Sequence, residues 1–100
     1  MSTYNKLVRD KIPEILDKKG ISYEKRIASY EEYKAELIKK LGEEAKEFGE
    51  AGDPEELADI LEVLEALKKL PEYAEIEELR LKKQKERGSF NNRIILKGEK

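Results

Sequence analysis

Residues 43–59, EEAKEFGEAGDPEELAD, combine a dense set of carboxylates with a sharp break between two helical segments. Lys46 is the only basic residue among them, and the break runs from Gly49 to Pro54. An acidic pair with the spacing i, i+3 lies on each side of the break, and this spacing places both side chains on one helix face. Carboxylates without a cation repel each other, and burying one unpaired is costly. Two such pairs facing each other therefore favour a divalent-metal site.

Capping residues predict where the first two helices begin and end. Asp10 is the expected N-cap of a first helix, which Gly20 should terminate. Ser29, with Glu32 three residues later, forms a capping-box pattern at the start of a second helix. That helix should run to about Phe48.

The third helix has the best-defined start in the chain. Asp53 is the expected N-cap, Pro54 occupies the first helical position and Glu56 is the capping-box partner. We expect this helix to end near Leu70.

A fourth, highly charged helix is expected over residues 72–86, with Gly88 as its stop. Residues 90–97 are expected to be extended, as is the beginning of the chain. These assignments predict an all-α, four-helix fold with short extended terminal segments. At 100 residues, the chain is long enough for one domain, residues 1–100, and too short for two.

Composition excludes several classes of function. The chain has 21 basic and 23 acidic residues, so it lacks the basic excess that nucleic-acid binding requires. It contains no histidine and no cysteine, which leaves Asp, Glu, Lys, Tyr and metal-bound water to carry any chemistry. The longest apolar run is Ile94–Leu96, and residues 1–10 lack the apolar core of a signal peptide. We therefore expect a cytoplasmic protein without a membrane or nucleic-acid partner.

Helical-wheel positions select four carboxylates from the acidic stretch. On the second helix Glu44 falls inside the apolar stripe, about 60° from Leu41, whereas Glu47 lies at its flank near 120°. Glu43 points away from that stripe. On the third helix the wheel places Glu56 within the apolar arc, which includes Leu57, Leu61 and Leu64, and Asp59 at the edge of that arc. The selected residues are Glu44, Glu47, Glu56 and Asp59.

Two of these residues have a structural alternative. Glu56 is also the expected capping-box partner of Asp53, and the two roles are compatible only if its side chain turns inward. Glu44 also has the i, i+4 spacing for an ion pair with Lys40.

The motifs KLGEEAKE at 40–47 and EELADILEVLEAL at 55–67 resemble the EExxE…ExxD signature of MazG-like and phosphoribosyl-ATP pyrophosphohydrolase-like nucleotide pyrophosphatases. The opening YNKLVRDKIPEIL and the closing KKQKERGSFNNRIIL are also similar to the ends of small, single-domain members. The resemblance implies an all-α fold whose site is formed by an antiparallel helix pair. It also implies Mg²⁺, for which Mn²⁺ can substitute, bound by the carboxylates at Glu44, Glu47, Glu56 and Asp59.

The implied reaction is hydrolysis of a nucleoside triphosphate between its α and β phosphates, which releases a nucleoside monophosphate and pyrophosphate. Non-canonical or surplus nucleotides are the expected substrates of such a house-cleaning enzyme. A carboxylate that is not fully engaged by metal, Glu43 or Glu47, would orient or deprotonate the attacking water. Basic residues from both ends of the chain are the candidate phosphate ligands: Lys6, Arg9, Lys11, Lys83 and Arg87. Tyr4 and Tyr33 are candidates to stack on a base.

The same resemblance implies a homodimer or homotetramer in which helices of two subunits form the pocket. Only eight residues separate Glu47 from Glu56, so little loop is left to enclose a base. Two alternatives remain at this stage. One is a non-catalytic helical oligomerisation or regulatory module, and the other is a phosphoribosyl-ATP pyrophosphohydrolase.

Overall fold

The computed structural model describes residues 5–99, which contain four α-helices and one short 3-10 helix. No β-strand occurs within residues 5–99, so the expected all-α class is confirmed there. The elements are α1 (Ile12–Lys18), α2 (Tyr30–Ala51), α3 (Pro54–Lys68), the 3-10 helix (Pro71–Tyr73) and α4 (Ile76–Arg87).

Ser29 caps α2 as predicted, because its side chain accepts a hydrogen bond from the backbone N–H of Glu32 at 3.2 Å. The capping box is only half formed. The Glu32 carboxylate instead accepts two hydrogen bonds from the Arg26 guanidinium, at 2.6 and 2.7 Å. These bonds link the segment before α2 to the first turn of the helix. The helix continues to Ala51, beyond the expected end, and stops at Gly52 in the left-handed conformation that favours glycine.

The start of α3 matches its prediction, and its end lies two residues before the expected position. Oδ1 of Asp53 accepts a hydrogen bond from the backbone N–H of Glu56 at 2.9 Å, with Pro54 in the first turn. The helix ends at Lys68, whereas Leu70 was the expected end. Leu70 is extended because it precedes a proline, whose ring disfavours the α conformation of the residue before it.

The predicted start of the first helix is wrong. Lys11, not Asp10, is the N-cap of α1, and no side chain caps this end. The helix is only seven residues long and has no buried residue, so neither capping nor packing extends it further.

The predicted start of the fourth helix is also wrong. Residues 71–73 form the 3-10 helix, and α4 begins only at Ile76. Glu72 accepts a hydrogen bond from the Tyr30 hydroxyl and forms an ion pair with Lys34 at 2.9 Å. These two donors lower the pKa of Glu72 to about 2. The contacts tie the turn between α3 and α4 to the beginning of α2.

The core lies between α2 and α3, the helix pair with the most extensive contacts among the described residues. Its buried members are Leu37 of α2, Val63 of α3 and Leu70. Partly buried side chains, including Tyr33 and Leu41, pack around them.

Part of the apolar surface predicted for the core is not covered. Ile38 of α2 and three leucines of α3 remain exposed, although their wheel positions placed them at or near the buried face: Leu57, Leu61 and Leu64. Each helix has one neighbour with extensive contacts, so only one of its sides is buried.

Residues 88–99 form neither helix nor strand and are exposed. A turn at residues 90–92 is closed by the backbone N–H of Arg93 and the carbonyl of Phe90 at 3.3 Å, so this part of the segment is not extended as expected. None of the helices found between residues 5 and 99 has the length and apolar content needed to cross a membrane.

Candidate metal centre

The contact between α2 and α3 brings three of the four selected carboxylates together. Glu44, Glu56 and Asp59 each direct one carboxylate oxygen into a group in which all oxygens lie within 4.8 Å of one another. Only Gly52 and Asp53 connect the two helices, so the linker between them is very short. Gly52, in the left-handed conformation, ends α2, and the cap made by Asp53 begins α3.

Glu44 is the one charged residue that is buried among residues 5–99, with 9% of its surface exposed. Its Oε1 atom lies 3.8 Å from Nζ of Lys40, a long ion pair that matches the alternative seen in the sequence. Its Oε2 atom is buried and has no hydrogen-bond partner. The lysine therefore satisfies only one side of this carboxylate.

Glu56 turns its side chain inward instead of completing a capping box. Its backbone N–H donates a hydrogen bond to Oδ1 of Asp53, and its carboxylate lies beside that of Glu47. Its Oε2 atom is buried without a partner, like that of Glu44. The cap and the inward carboxylate are thus compatible, because they use different atoms of the same residue.

Burial and mutual repulsion disfavour the charged forms of two of these carboxylates. Burial raises the pKa of Glu44, and the negative charges of Glu47 and Asp59 raise it further. The pKa of Glu56 is raised to about 7. Burial is the largest cause of this pKa shift, and a hydrogen bond to Glu47 and the negative charges of Glu47, Asp53 and Asp59 add to it. A bound cation would reverse this effect by stabilising the ionised forms.

Glu47 and Glu43 lie outside the group of three close carboxylates. Glu47 is exposed at the flank of α2, yet its carboxylate interacts with those of both Glu44 and Glu56. Glu43 is exposed and its side chain forms no ion pair within residues 5–99. Of the two predicted catalytic residues, Glu47 is therefore the one beside the cluster.

Arg9 reaches the cluster from the segment before α1. Its Nη2 atom lies 2.8 Å from Oδ1 of Asp59, and both side chains are about half exposed. The sequence identified Arg9 only as a phosphate ligand. Its pairing with Asp59 was missed because the residues are 50 positions apart and no local spacing links them.

The other predicted phosphate ligands are placed differently. Lys11 is the exposed N-cap residue of α1, and Lys6 is exposed in the same segment as Arg9. Lys83 and Arg87 are exposed on α4, and neither side chain forms an ion pair within residues 5–99. The structure thus brings Arg9 to the acidic cluster by a direct contact, and it shows no such contact for Lys83 or Arg87.

A separate surface cavity of about 750 Å³ lies at the end of α4 and is lined by residues from Arg87 to Ile95. Neither the acidic cluster nor Arg9 lines this cavity. Of the two candidate stacking residues, Tyr33 packs against the hydrophobic core, and Tyr4 lies outside the described residues.

The donor set at the cluster fits a hard divalent cation. Three carboxylates converge, and two of them present a buried oxygen that no protein group satisfies. Oxygen-only ligands are those preferred by Mg²⁺ and Mn²⁺. A scan against models of protein families found no match to this chain, and searches of curated proteins and of solved structures found none either.

Proposed function

We propose that this chain is a Mg²⁺-dependent nucleotide pyrophosphohydrolase, which converts nucleoside triphosphates to nucleoside monophosphates and pyrophosphate. The observation that carries the proposal is the convergence of Glu44, Glu56 and Asp59, two of which hold a buried, unpartnered oxygen. Such an arrangement is costly without a cation. The resemblance of the EExxE…ExxD motif to MazG-like nucleotide pyrophosphatases supports the same reaction, with non-canonical or surplus nucleotides as the substrate class.

Each residue of the site has a role in this proposal. Glu44, Glu56 and Asp59 would hold Mg²⁺, with Glu47 either completing the ligand set or orienting the attacking water. When bound, Mg²⁺ would neutralise phosphate oxygens and lower the pKa of water. Arg9 stands at the edge of the cluster, where its guanidinium could exchange Asp59 for a phosphate oxygen.

The order of the contacts supports an antiparallel α2 and α3. Leu37, early in α2, shares the core with Val63 and Leu70, whereas Glu44, later in α2, meets the beginning of α3. An antiparallel pair places the two acidic motifs at the same level on facing helices. We place the protein in the cytoplasm and expect it to act as a homodimer or homotetramer.

Pyrophosphate release tests the proposal. Normal and modified nucleoside triphosphates would be incubated with Mg²⁺ and the wild-type protein, Glu44→Gln or Glu50→Gln. Glu50 is the matched control, because it lies exposed on the same helix and outside the cluster. We expect release from wild type and Glu50→Gln, and a loss of about 100-fold or more in Glu44→Gln.

Two results would contradict the enzymatic function. One is the absence of metal-dependent release across the whole panel, which would favour a non-catalytic helical module. The other is an undiminished Glu44→Gln variant. Circular dichroism of each variant would separate a lost site from a lost fold.

A further inference from the structure

One face of α3 carries an exposed apolar stripe, defined here as Leu57, Leu61 and Leu64. These side chains are 43%, 55% and 37% exposed. Their spacing, i, i+4, i+7, puts them on one side of the helix. Val63, which packs into the core, lies on a different side, about 120° around the helix from Leu57. The helix therefore has two apolar sides, and the contact with α2 covers only one of them.

A second uncovered apolar surface lies in the arm, defined here as residues 88–97. Four of its ten residues are large and apolar, and they are between 71% and 97% exposed: Phe90, Ile94, Ile95 and Leu96. The arm makes no helix or strand and none of its residues is buried. It carries two cations, Arg93 and Lys97, and no acidic residue.

The buried core is small compared with these exposed surfaces. Only three apolar side chains are buried among the described residues: Leu37, Val63 and Leu70. Each apolar side chain left in water forgoes the free energy of its burial. A domain of this size has little reserve of stability, so covering the stripe and the arm would contribute a large part of it.

The charges of α3 and of the arm indicate which surface can cover the stripe. The helix α3 contains five acidic residues and one lysine, and the arm contributes two cations without an acid. Packing α3 on α3 of another copy would bring two acidic helices together and leave the arm exposed. Packing the arm on α3 pairs opposite charges and covers both apolar surfaces at once.

We infer that the arm of one copy of this chain packs on the apolar stripe of a second copy, with Arg93 and Lys97 beside the acidic side chains of α3. Phe90, Ile95 and Leu96 are 90% or more exposed, so the arm of the same chain leaves both apolar surfaces uncovered, and a second copy presents the same acidic helix and the same stripe. Exchanging arms reciprocally gives a closed two-fold dimer. The inference does not depend on the proposed enzymatic activity.

Crosslinking tests the exchange directly, since the chain contains no cysteine. Two single-cysteine proteins, Leu61→Cys and Leu96→Cys, would be mixed, treated with a short bismaleimide and separated on denaturing gels. We expect a crosslinked dimer from the mixture. The control is Lys39→Cys mixed with Leu96→Cys, because Lys39 is exposed and lies about 160° around α2 from Leu37, which packs in the core with Val63 of α3. This control pair should stay uncrosslinked.

The double variant Leu61→Cys/Leu96→Cys separates the alternatives. Crosslinks only within one chain would overturn the inference in favour of an arm that folds back on its own α3. Efficient crosslinking of Leu61→Cys with itself, together with none in the mixture, would overturn it in favour of contact between two α3 helices.

A charge variant provides a test that needs no cysteine. Sedimentation velocity should show a wild-type dimer, and Arg93→Glu/Lys97→Glu should weaken its association at least about tenfold. Both side chains are exposed, so the circular dichroism spectrum should not change. A wild-type protein that stays monomeric at high micromolar concentration, or a variant that associates as tightly as wild type, would contradict the exchange.

Discussion

The guanidinium of Arg9 lies 2.8 Å from the carboxylate of Asp59, and this ion pair joins the segment before α1 to the acidic cluster between α2 and α3. Asp59 also belongs to the group of three carboxylates that could hold a metal ion. A cation bound to Oδ1 of Asp59 would compete with Arg9 for this oxygen. Metal binding would free the guanidinium, which is a good partner for a phosphate oxygen.

Replacing Arg9 should separate metal binding from substrate binding. In Arg9→Gln, Asp59 loses its partner, and we expect the protein to bind Mn²⁺ roughly twofold to fivefold more tightly, because exposed ion pairs contribute up to about 1 kcal/mol. If the proposed activity holds, KM for the nucleotide should rise roughly tenfold or more through the lost charged hydrogen bond. Isothermal titration and steady-state kinetics measure the two effects.

Arg80→Gln is the matched control, since Arg80 is also exposed and pairs with Glu77 at 3.0 Å, away from the cluster. This variant should change neither the affinity for Mn²⁺ nor the KM for the nucleotide. Weaker metal binding in Arg9→Gln would show that the arginine supports the metal site instead of competing for it.

Glu44→Gln should stabilise the protein without metal and remove its stabilisation by metal. A buried charge with one unpartnered oxygen opposes folding, so we expect a melting temperature about 4 °C higher in EDTA. Adding Mg²⁺ should raise the melting temperature of the wild type and leave that of the variant unchanged. Differential scanning fluorimetry, with Glu50→Gln as the control, reports both. A variant that melts lower than wild type in EDTA would mean that the carboxylate stabilises the fold.

Glu56 should make the metal-free protein less stable as pH rises. Its pKa is raised to about 7 in the folded state, above the ordinary value of 4.5, so the folded protein binds more protons than the unfolded chain between these values. This contribution to stability is fully present below pH 4.5 and is lost as pH rises through about 7. Thermal melts in EDTA from pH 4.5 to 8 should show the decline.

Glu56→Gln should flatten that decline, whereas Glu55→Gln, its exposed neighbour, should not. With saturating Mg²⁺ the trend of the wild type should weaken or reverse, because the metal stabilises the ionised carboxylates. An identical pH profile for wild type and Glu56→Gln would exclude a perturbed Glu56.

The cap of α3 should matter to stability and to the site together. Asp53→Ala removes the acceptor for the Glu56 backbone N–H and should cost about 1 kcal/mol, or roughly 4–8 °C in melting temperature. Metal affinity should fall as well, because Glu56 is a candidate ligand in the same helical turn. Asp53→Asn keeps an oxygen at the same position and should retain most of the stability and most of the metal affinity. Equal losses in the two variants would indicate that the charge of Asp53, not its hydrogen bond, is responsible.

Local features made much of the fold predictable. Ser29 and Asp53 cap α2 and α3 through short-range hydrogen bonds, and Gly52 and Gly88, which adopt positive φ values, end α2 and α4. The starts of α1 and α4 could not be predicted in this way. The beginning of α4 depends on Glu72, whose partners Tyr30 and Lys34 are about 40 residues distant in the chain.

The candidate site was predictable to the extent that it depends on helical periodicity. Glu44 was selected because it falls among apolar residues of α2, and it is buried in the structure. Periodicity could not separate Glu47 from the close group, because its distance from Glu56 depends on how the two helices pack. Nor could it tell which apolar side of α3 would be covered by α2, so Leu61 was expected near the core and is exposed.

The sequence by itself determined the all-α class and the cap at Asp53, and it selected four carboxylates within or beside the apolar sides of their helices. These properties depend on residues within one or two turns of each other, where spacing alone sets geometry. Only the tertiary structure decided that Glu44, Glu56 and Asp59 meet, that Arg9 pairs with Asp59 and that the stripe on α3 stays uncovered. Each of these depends on the packing of segments distant in sequence, which local periodicity does not encode.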